Sequence, residues 1–343
     1  MMQLSSFSLR AILFAASIAV SSTLFAQQED PAARLDRATA LTALGSVDQK
    51  PWHLKLDVTV YDDAGKNPSA GSIEMWKSGE DSRQVFTFGT AVLTRIQHGR
   101  EIYREGTTDP VSYRATEILE QILHPGPVPE DQTSSKPTMQ VHKFGKIALD
   151  CIMLSQSVKD EDKLPLGLYP TFCLNQGTDI IRSSYNFGSR TVILNGLGAF
   201  LDHKVATQMD ILSNSSLVAT AKVTALSTYA PDPAQFATTP EMQHAYADAA
   251  RVSGGVIAGN ILTKAQPVYP DSARQNHVTG TVVLHALIGR DGHVYALRPI
   301  SSPDPDLTIS AIAAVRQWRY KPYLLNGVPT EIDTTIMVNY NIN

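Results

Sequence analysis

The chain has few cysteines, little net charge and only one long apolar run, and each shortage excludes a class of protein. The chain has two cysteines among 343 residues, and none of its nine histidines forms a short-spaced pair with a cysteine or carboxylate that is typical of a zinc site. A net charge of −4 gives no support to nucleic-acid binding driven by phosphate neutralisation. Hydrophobic residues nevertheless make up 43% of the chain, which is enough for packed cores. The length favours two or more domains, because single cores rarely exceed about 250–300 residues.

The one long apolar run lies at the N-terminus. It follows Arg10 and extends over residues 11–26 as AILFAASIAVSSTLFA. The run is just shorter than the roughly 17–25 residues that span a bilayer, and it ends at the small residue Ala26. We therefore predict a signal peptide over residues 1–26 and export of the remaining chain. The alternative is an uncleaved inner-membrane anchor. No cysteine lies directly after the run, which excludes a lipoprotein anchor.

Cys151 and Cys173 are the two cysteines of the exported chain. An even cysteine count in an exported protein indicates a disulfide. Both residues fall in segments with strand-like patterns, where a cross-strand bridge forms easily. We predict a Cys151–Cys173 disulfide, and the alternative is a pair of buried free thiols.

Residues 27–235 have the pattern of a β-rich antiparallel domain. In Trp52–Asp62 apolar residues alternate with polar ones, which predicts a half-buried strand, and similar short segments follow. Ser112–Leu123 interrupts them with a helical period. This order of elements is weakly similar to the half-barrel folds of periplasmic lipoprotein and lipid carriers, and the resemblance implies a bound lipid. The alternative is a β-rich scaffold whose apolar faces are simply core.

Residues 236–261 are rich in Pro, Ala and Gly and predict a linker, with a short helix over Pro240–Arg251. Residues 262–343 then predict a β-β-α-β domain, so the fold class is α+β. The Asp291-Gly292 pair predicts a hairpin turn. A helix capped by Asp304 or Asp306 continues to Tyr320 and is ended by Pro322. A turn at Asn326-Gly327 leads into the last strand.

Several motifs of this last region occur together in one order and spacing. They are Gln266-Pro267 with Tyr269-Pro270, Gly280, Asp291-Gly292, and Trp318-Arg319-Tyr320 followed by Pro322. With them, residues 262–343 resemble the C-terminal domain of TonB-type energy transducers. The resemblance implies a periplasmic location and binding of the TonB box, a short segment of outer-membrane receptors that adds as a strand beside the last strand of the domain.

The resemblance and the pattern of the last strand together give the candidate site. Alternate residues of Thr334–Ile342 form a core face and a polar outer face, and a terminal strand is a sheet edge unless another strand pairs with it. The predicted partner-binding residues are Gln266, Pro267, Tyr269, Pro270, Thr334, Thr335, Ile336, Met337, Val338, Asn339 and Tyr340. The predicted structural residues are Trp318, Arg319, Tyr320 and Pro322. The expected partner is a TonB-dependent outer-membrane receptor or another envelope protein, and the same edge could pair two copies of this chain.

No pattern for catalysis, a metal or a cofactor stands out. The nine histidines are scattered, and the chain has no G-x-S-x-G motif and no phosphate-binding glycine loop. Relative to full energy transducers, the chain also has a β-rich region where they have a long proline-rich spacer. Three hypotheses follow: a periplasmic binding protein that supports TonB-dependent transport, a lipid or lipoprotein carrier that docks through its TonB-like domain, and an enzyme with an unrecognised site. We favour the first, and we predict that the protein is not an enzyme.

Overall fold

The computed structural model describes residues 29–46, 50–62, 64–99, 101–106, 112–128, 135–155, 166–167, 169–186, 190–213, 215–246, 250–325 and 327–342. The predicted signal peptide and Asn326 of the predicted turn lie outside these residues. None of the helices described is both long and apolar enough to cross a membrane. Two large hydrophobic cores form, one before residue 236 and one after residue 251.

The first core lies against a sheet of thirteen described strands in the order β13-β5-β4-β3-β2-β1-β12-β11-β10-β9-β8-β7-β6. The strands are β1 Trp52–Val60, β2 Ser69–Ser78, β3 Asp81–Phe88, β4 Ala91–His98, β5 Glu101–Gly106, β6 Lys136–Phe144, β7 Ile147–Ser155, β8 Thr171–Asn175, β9 Ile181–Asn186, β10 Arg190–Phe200, β11 His203–Ser213, β12 Ser216–Thr228 and β13 Gln243–Tyr246. The chain runs outward from β1 to β5, crosses to β6, and returns strand by strand to β12, which pairs with β1.

Two helices fill the concave side of this sheet. They are α1, Pro31–Thr42, and α2, Ser112–Leu123, and the latter has the predicted bounds. Leu35 of α1 and Leu119 of α2 belong to one apolar cluster with side chains from both halves of the sheet. The sheet therefore curls around the helices as a half-barrel, as the sequence pattern predicted.

Arg34 fixes α1 to the strands at one end of the half-barrel. Its Nη1 lies 2.8 Å from the Asp150 carboxylate, and its Nε lies 3.5 Å from Asp179. Nη2 also donates to the carbonyl oxygens of Asn175 and Thr178, at 3.3 and 3.2 Å. Because the Arg34 side chain is only 6% exposed, these partners replace nearly all of its hydration.

The predicted disulfide is present. Cys151 of β7 and Cys173 of β8 are directly opposite in the antiparallel register and are bonded to each other. Both side chains are buried beside Leu149 and Tyr185. The bridge closes a segment of 22 residues that includes residues 156–165, which lie outside the described part.

The segment between the domains forms strands where a helix was predicted. The prediction of a helix over Pro240–Arg251 is wrong, because β13 at Gln243–Tyr246 pairs with β5, and β14 at Ala250–Arg251 pairs with the last strand. A short helix, α3, begins only afterwards, at Gly254–Ala258. Pairing with two distant strands overrides the weak local preference of this Ala-rich stretch for helix.

The second core belongs to the predicted β-β-α-β unit, which confirms the α+β class. Its sheet has the order β14-β21-β16-β17, with α5 packed against β16 and β17. The remaining elements are β15 Ile261–Thr263, α4 Asp271–Gln275, β16 Gly280–Ile288, β17 Val294–Ser301, α5 Pro305–Val315, β18 Arg319–Tyr320, β19 Leu324–Leu325, β20 Val328–Pro329 and β21 Ile332–Tyr340. Asp304 caps α5 by accepting from the N–H groups of Asp306 and Leu307.

The helix α5 ends earlier than predicted. It stops at Val315 rather than continuing to Tyr320, and Arg319–Tyr320 forms the short strand β18. The Tyr320 N–H donates to Gly292 O at 2.9 Å, and the Lys321 N–H donates to Asn260 O at 2.8 Å. These bonds to distant segments draw the chain out of the helix before the proline is reached.

We predict that Arg34→Ala destabilises the protein by about 3–5 kcal/mol, because it leaves the Asp150 carboxylate buried without its cation. The matched control is Arg37→Ala on the same helix, since Arg37 pairs with Glu29 and Asp179 but has a side chain that is 50% exposed. Solvent-screened surface ion pairs contribute little to stability, so this control should have an unfolding free energy close to that of the wild type. Urea unfolding followed by tryptophan fluorescence measures both, and equal losses for the two variants would contradict the assignment.

We also predict that the double variant Cys151→Ala/Cys173→Ala loses about 3 kcal/mol of unfolding free energy, because the bridge restricts the unfolded chain over a loop of this length. The same urea titration measures the loss. Fully reduced wild-type protein keeps both side chains without the cross-link and serves as the control. A double variant as stable as the oxidised wild type would show that the bridge adds nothing.

Candidate functional site

The candidate site is the outer side of β21. On its inner side β21 pairs with β16 along its whole length, from Ile332↔Ile288 to Tyr340↔Gly280. On its outer side it pairs with β14 only at Ile332 and Asp333. The described strands therefore leave most of the outer side of β21 without a ladder partner.

Side chains of β21 alternate as predicted. Ile332, Thr334, Ile336, Val338 and Tyr340 are buried on the core face, and the residues between them are partly or fully exposed. Burial raises the pKa of the Tyr340 hydroxyl, so this residue stays neutral. The predicted two-faced strand is confirmed.

On the open face of the sheet, side chains of β21 lie opposite side chains of β16. Asn339 accepts from Thr281 Oγ1 at 2.7 Å, and Asp333 lies 2.8 Å from His285 Nε2. Between them Met337 lies opposite Val283 in the register and is 65% exposed.

Backbone hydrogen bonds show which groups of β21 face outward. The Ala250 N–H donates to Glu331 O at 2.8 Å, and the Val252 N–H donates to Asp333 O at 3.0 Å. Backbone polar groups alternate between the two sides of a strand. Thr335, Met337 and Asn339 therefore direct their N–H and C=O groups to the outer side.

Residues 250–258, comprising β14 and α3, cover the first half of this outer side, and we name them the capping segment. Thr334 Oγ1 donates to Val252 O at 2.7 Å, and Ile257 is buried in the second core. Gly254 lies so close to β21 that a Cβ at this position would be 2.2 Å from Thr335 O. Sequence reasoning missed this segment. The Gly254-Gly255 pair was the available signal, since glycine permits close approach of two backbones.

The outer side remains open beyond Thr335. Within the described ranges no strand pairs there with Met337 or Asn339. Their two N–H and two C=O groups form a short, unpaired edge next to the end of the capping segment. Such an edge is a template for pairing with another extended chain.

The predicted contact segment, Gln266–Pro270, is brought to the end of β21 by its tyrosine. The Tyr269 ring packs edge-on against Tyr340, with 5.4 Å between centroids, and its hydroxyl donates to Val278 O at 2.5 Å. Pro270 precedes α4, while Gln266 is exposed and Pro267 is half-buried. Contact between this segment and a partner stays a prediction.

The predicted structural residues lie at a junction behind the site. Trp318 is 3% exposed and its Nε1 donates to Ala265 O at 2.8 Å, which positions the start of the Gln266–Pro270 segment. Arg319 donates to the carbonyl oxygen of Arg316, just past the end of α5. Tyr320 is buried, while Pro322 is exposed.

The concave side of the half-barrel gives little room for the predicted lipid. A pocket beside the two helices, lined by residues such as Ile122, Leu194 and Lys204, has a volume of about 10 Å³, which is room for roughly one water molecule. Sites for ligands of drug size are usually about 300–1,000 Å³. Among the described residues, the apolar side chains of the concave side pack against α1 and α2 instead. A bound lipid stays a prediction.

Comparison with known proteins bears mainly on the C-terminal region. Residues 265–342 match the family model of the Gram-negative bacterial TonB protein C-terminal, which confirms the resemblance seen in the sequence. The chain is also 30% identical over 113 residues to Protein TonB of Vibrio cholerae serotype O1. That alignment covers 30% of this chain and 46% of the relative, so the chain spans less than half of the relative's length.

Two solved structures are similar over 61% of this chain and 98% of their own length. One is a LolA superfamily protein from Nitrosomonas europaea, with 9% identity and a TM-score of 0.40. The other is a DUF1329 family protein from Desulfovibrio piger, with 10% identity and a TM-score of 0.39. With TM-scores this low, neither likeness bears on function.

Two glycines in left-handed conformations test how tightly the junction behind the site is packed. Gly292 has φ +79°, and a Cβ there would be 1.8 Å from Tyr320 O. Gly327 has φ +83° and open space around it. We predict that Gly327→Ala costs about 1 kcal/mol from its backbone conformation alone. Gly292→Ala should cost about 3 kcal/mol or more, because β18 must also move. Thermal unfolding of both variants checks this, and equal losses would rule out the tight contact.

Proposed function

We propose that this TonB-like envelope protein acts in the periplasm as a binding protein rather than an enzyme. In this proposal its C-terminal domain binds an extended segment of a TonB-dependent outer-membrane receptor, or of another envelope protein. The segment adds as a strand to the outer side of β21 and supports transport by that receptor. The proposal depends on the backbone groups of Met337 and Asn339, which no strand of the described ranges pairs with on the outer side.

The geometry of the edge supports strand addition over a pocket-based mode of binding. The two residues offer four backbone hydrogen bonds, and backbone pairing provides affinity with little dependence on sequence. The core face of β21 is already filled by the second core. A partner therefore gains selectivity from side chains that meet the open face, where Met337 stands between Thr335 and Asn339.

The match to the TonB C-terminal family model supports this choice of partner. It covers the whole β-β-α-β unit from Ala265 to Ile342, including β21 and the Gln266–Pro270 segment. The relative from Vibrio cholerae is named Protein TonB, and the aligned region is shorter than half of that protein. Export through the N-terminal apolar run is part of the same proposal.

We predict that Met337→Pro weakens binding of a TonB-box peptide by at least about tenfold. Proline removes the outward N–H and places its ring where the added strand would lie, while edge strands tolerate proline on their unpaired side. Fluorescence anisotropy with a labelled peptide and the full chain measures the affinity. Circular dichroism melting shows whether the fold is intact.

The control is Met337→Ala, which keeps the backbone donor and should bind within about threefold of the wild type, because backbone pairing provides most of the affinity of an added strand. Equal binding by Met337→Pro and the wild type would exclude this edge as the site. Sedimentation velocity without peptide tests whether a second copy of this chain occupies the edge instead. A wild-type dimer that Met337→Pro dissociates would identify a second copy of this chain there.

A further inference from the structure

The capping segment lies on the same side of β21 that a partner strand would use. Ala250 and Val252 donate to the carbonyl oxygens of Glu331 and Asp333, and Thr334 Oγ1 donates to Val252 O. The outward carbonyls of Glu331 and Asp333 are thus bonded by this segment, and that of Thr335 is covered by Gly254. A second strand cannot pair with the same backbone groups at the same time.

When the capping segment detaches from β21, its short connection to β13 keeps it close to the edge. Its first strand, β14, follows β13 after only three residues, and β13 pairs with β5 from Gln243↔Arg104 to Tyr246↔Glu101. Four peptide units span at most about 14 Å. A segment tethered this tightly has a high effective concentration at its own site, so it competes strongly with a free strand.

The buried part of the segment shows what holds it in place besides the backbone. Ile257 is 2% exposed in the second core, and Val252 packs against the same core. Val256, by contrast, points to solvent and is 53% exposed. The segment is therefore a built element of the domain, with an apolar anchor and a glycine that permits the close approach.

We propose that the capping segment is an intramolecular competitor for the partner-binding edge, and that a partner strand spanning the whole of β21 displaces it. A short partner strand pairs only beyond Thr335 and leaves the segment in place. A longer one takes over the bonds now made by Ala250 and Val252. The displacement then frees β14 from β21 while β13 remains on β5. This inference rests on the proposed function of the same edge.

Gly254→Ala tests the competition, with Gly255→Ala as its matched control. A methyl group at Gly254 would collide with Thr335 O, whereas nothing lies within 4 Å of a Cβ at Gly255. The probe is a TonB-box peptide of about ten residues, long enough to span β21, titrated into the full-length chain. We expect Gly254→Ala to bind about tenfold more tightly than the wild type, because losing competing hydrogen bonds favours the peptide. Gly255→Ala should bind like the wild type.

Hydrogen exchange provides a direct readout of displacement. The amides of Ala250 and Val252 should exchange slowly in the free wild-type chain and faster when the ten-residue peptide is bound. The amides of Gln243–Tyr246 should keep their protection, since β13 stays on β5. A five-residue peptide should leave the exchange of Ala250 and Val252 unchanged.

The outcomes separate this inference from the proposed function. If the wild type binds the peptide, but Gly254→Ala binds equally and Ala250 and Val252 stay protected, the competition is refuted while strand addition stands. If no variant binds the peptide, strand addition at β21 fails and the competition fails with it. Binding by Gly254→Ala alone supports both. Should Gly254→Ala melt far below the wild type, Thr334→Val replaces it. That variant removes one hydroxyl bond to Val252 O without a steric change, and an affinity gain of about threefold is expected.

Discussion

Backbone hydrogen bonding at the sheet edges is the constraint on which the arrangement of this molecule depends. An open sheet leaves a row of N–H and C=O groups on each outer strand, and these groups invite pairing with any extended chain. One short stretch covers part of two such edges, because β13 lies on β5 and β14 lies on β21. The linker is thus a structural part of both sheets, and the position of each edge limits the position of the other.

The partial cover on β21 limits how much of the strand is open to pairing. A fully open strand of nine residues would offer copies of this chain a long surface for self-pairing. Pairing by β14 and the close approach of Gly254 shorten the free part to the region beyond Thr335. Polar residues on the open face, such as Asn339, reduce the apolar surface that would drive association without specificity. What remains open is suited to a short extended segment.

The sequence predicted those features that depend on neighbouring residues. Apolar alternation identified the two faces of β21, the Asp291-Gly292 pair identified the β16–β17 hairpin, and Asp304 identified the start of α5. Each of these signals is local, because it reflects the period of one strand, the geometry of one turn or the cap of one helix. The cysteine pair was predictable for a related reason, since two strand-forming segments with one cysteine each favour a bridge.

Features that depend on distant partners were not predictable in the same way. The end of α5 at Val315 is set by hydrogen bonds that Tyr320 and Lys321 make with Gly292 and Asn260. The capping segment is a strand only because β21 lies beside it, and nothing in Ala250-Arg251-Val252 indicates that pairing. The sequence therefore predicted the two faces of β21, but not how far β14 covers its outer side.

The folded N-terminal domain changes what the linker can do. A flexible spacer would let the C-terminal domain move freely and would leave the capping segment without a fixed anchor. Here the half-barrel is filled by its own helices, with Arg34 fixing α1 and a disulfide joining β7 to β8, so β5, which pairs with β13, is part of a stable body. Since β13 is held on that body, β14 would stay tethered to it by three residues after displacement by a partner strand. In the proposed competition, the length of the partner strand decides whether β14 is released, and the edge then selects for strand length as well as sequence.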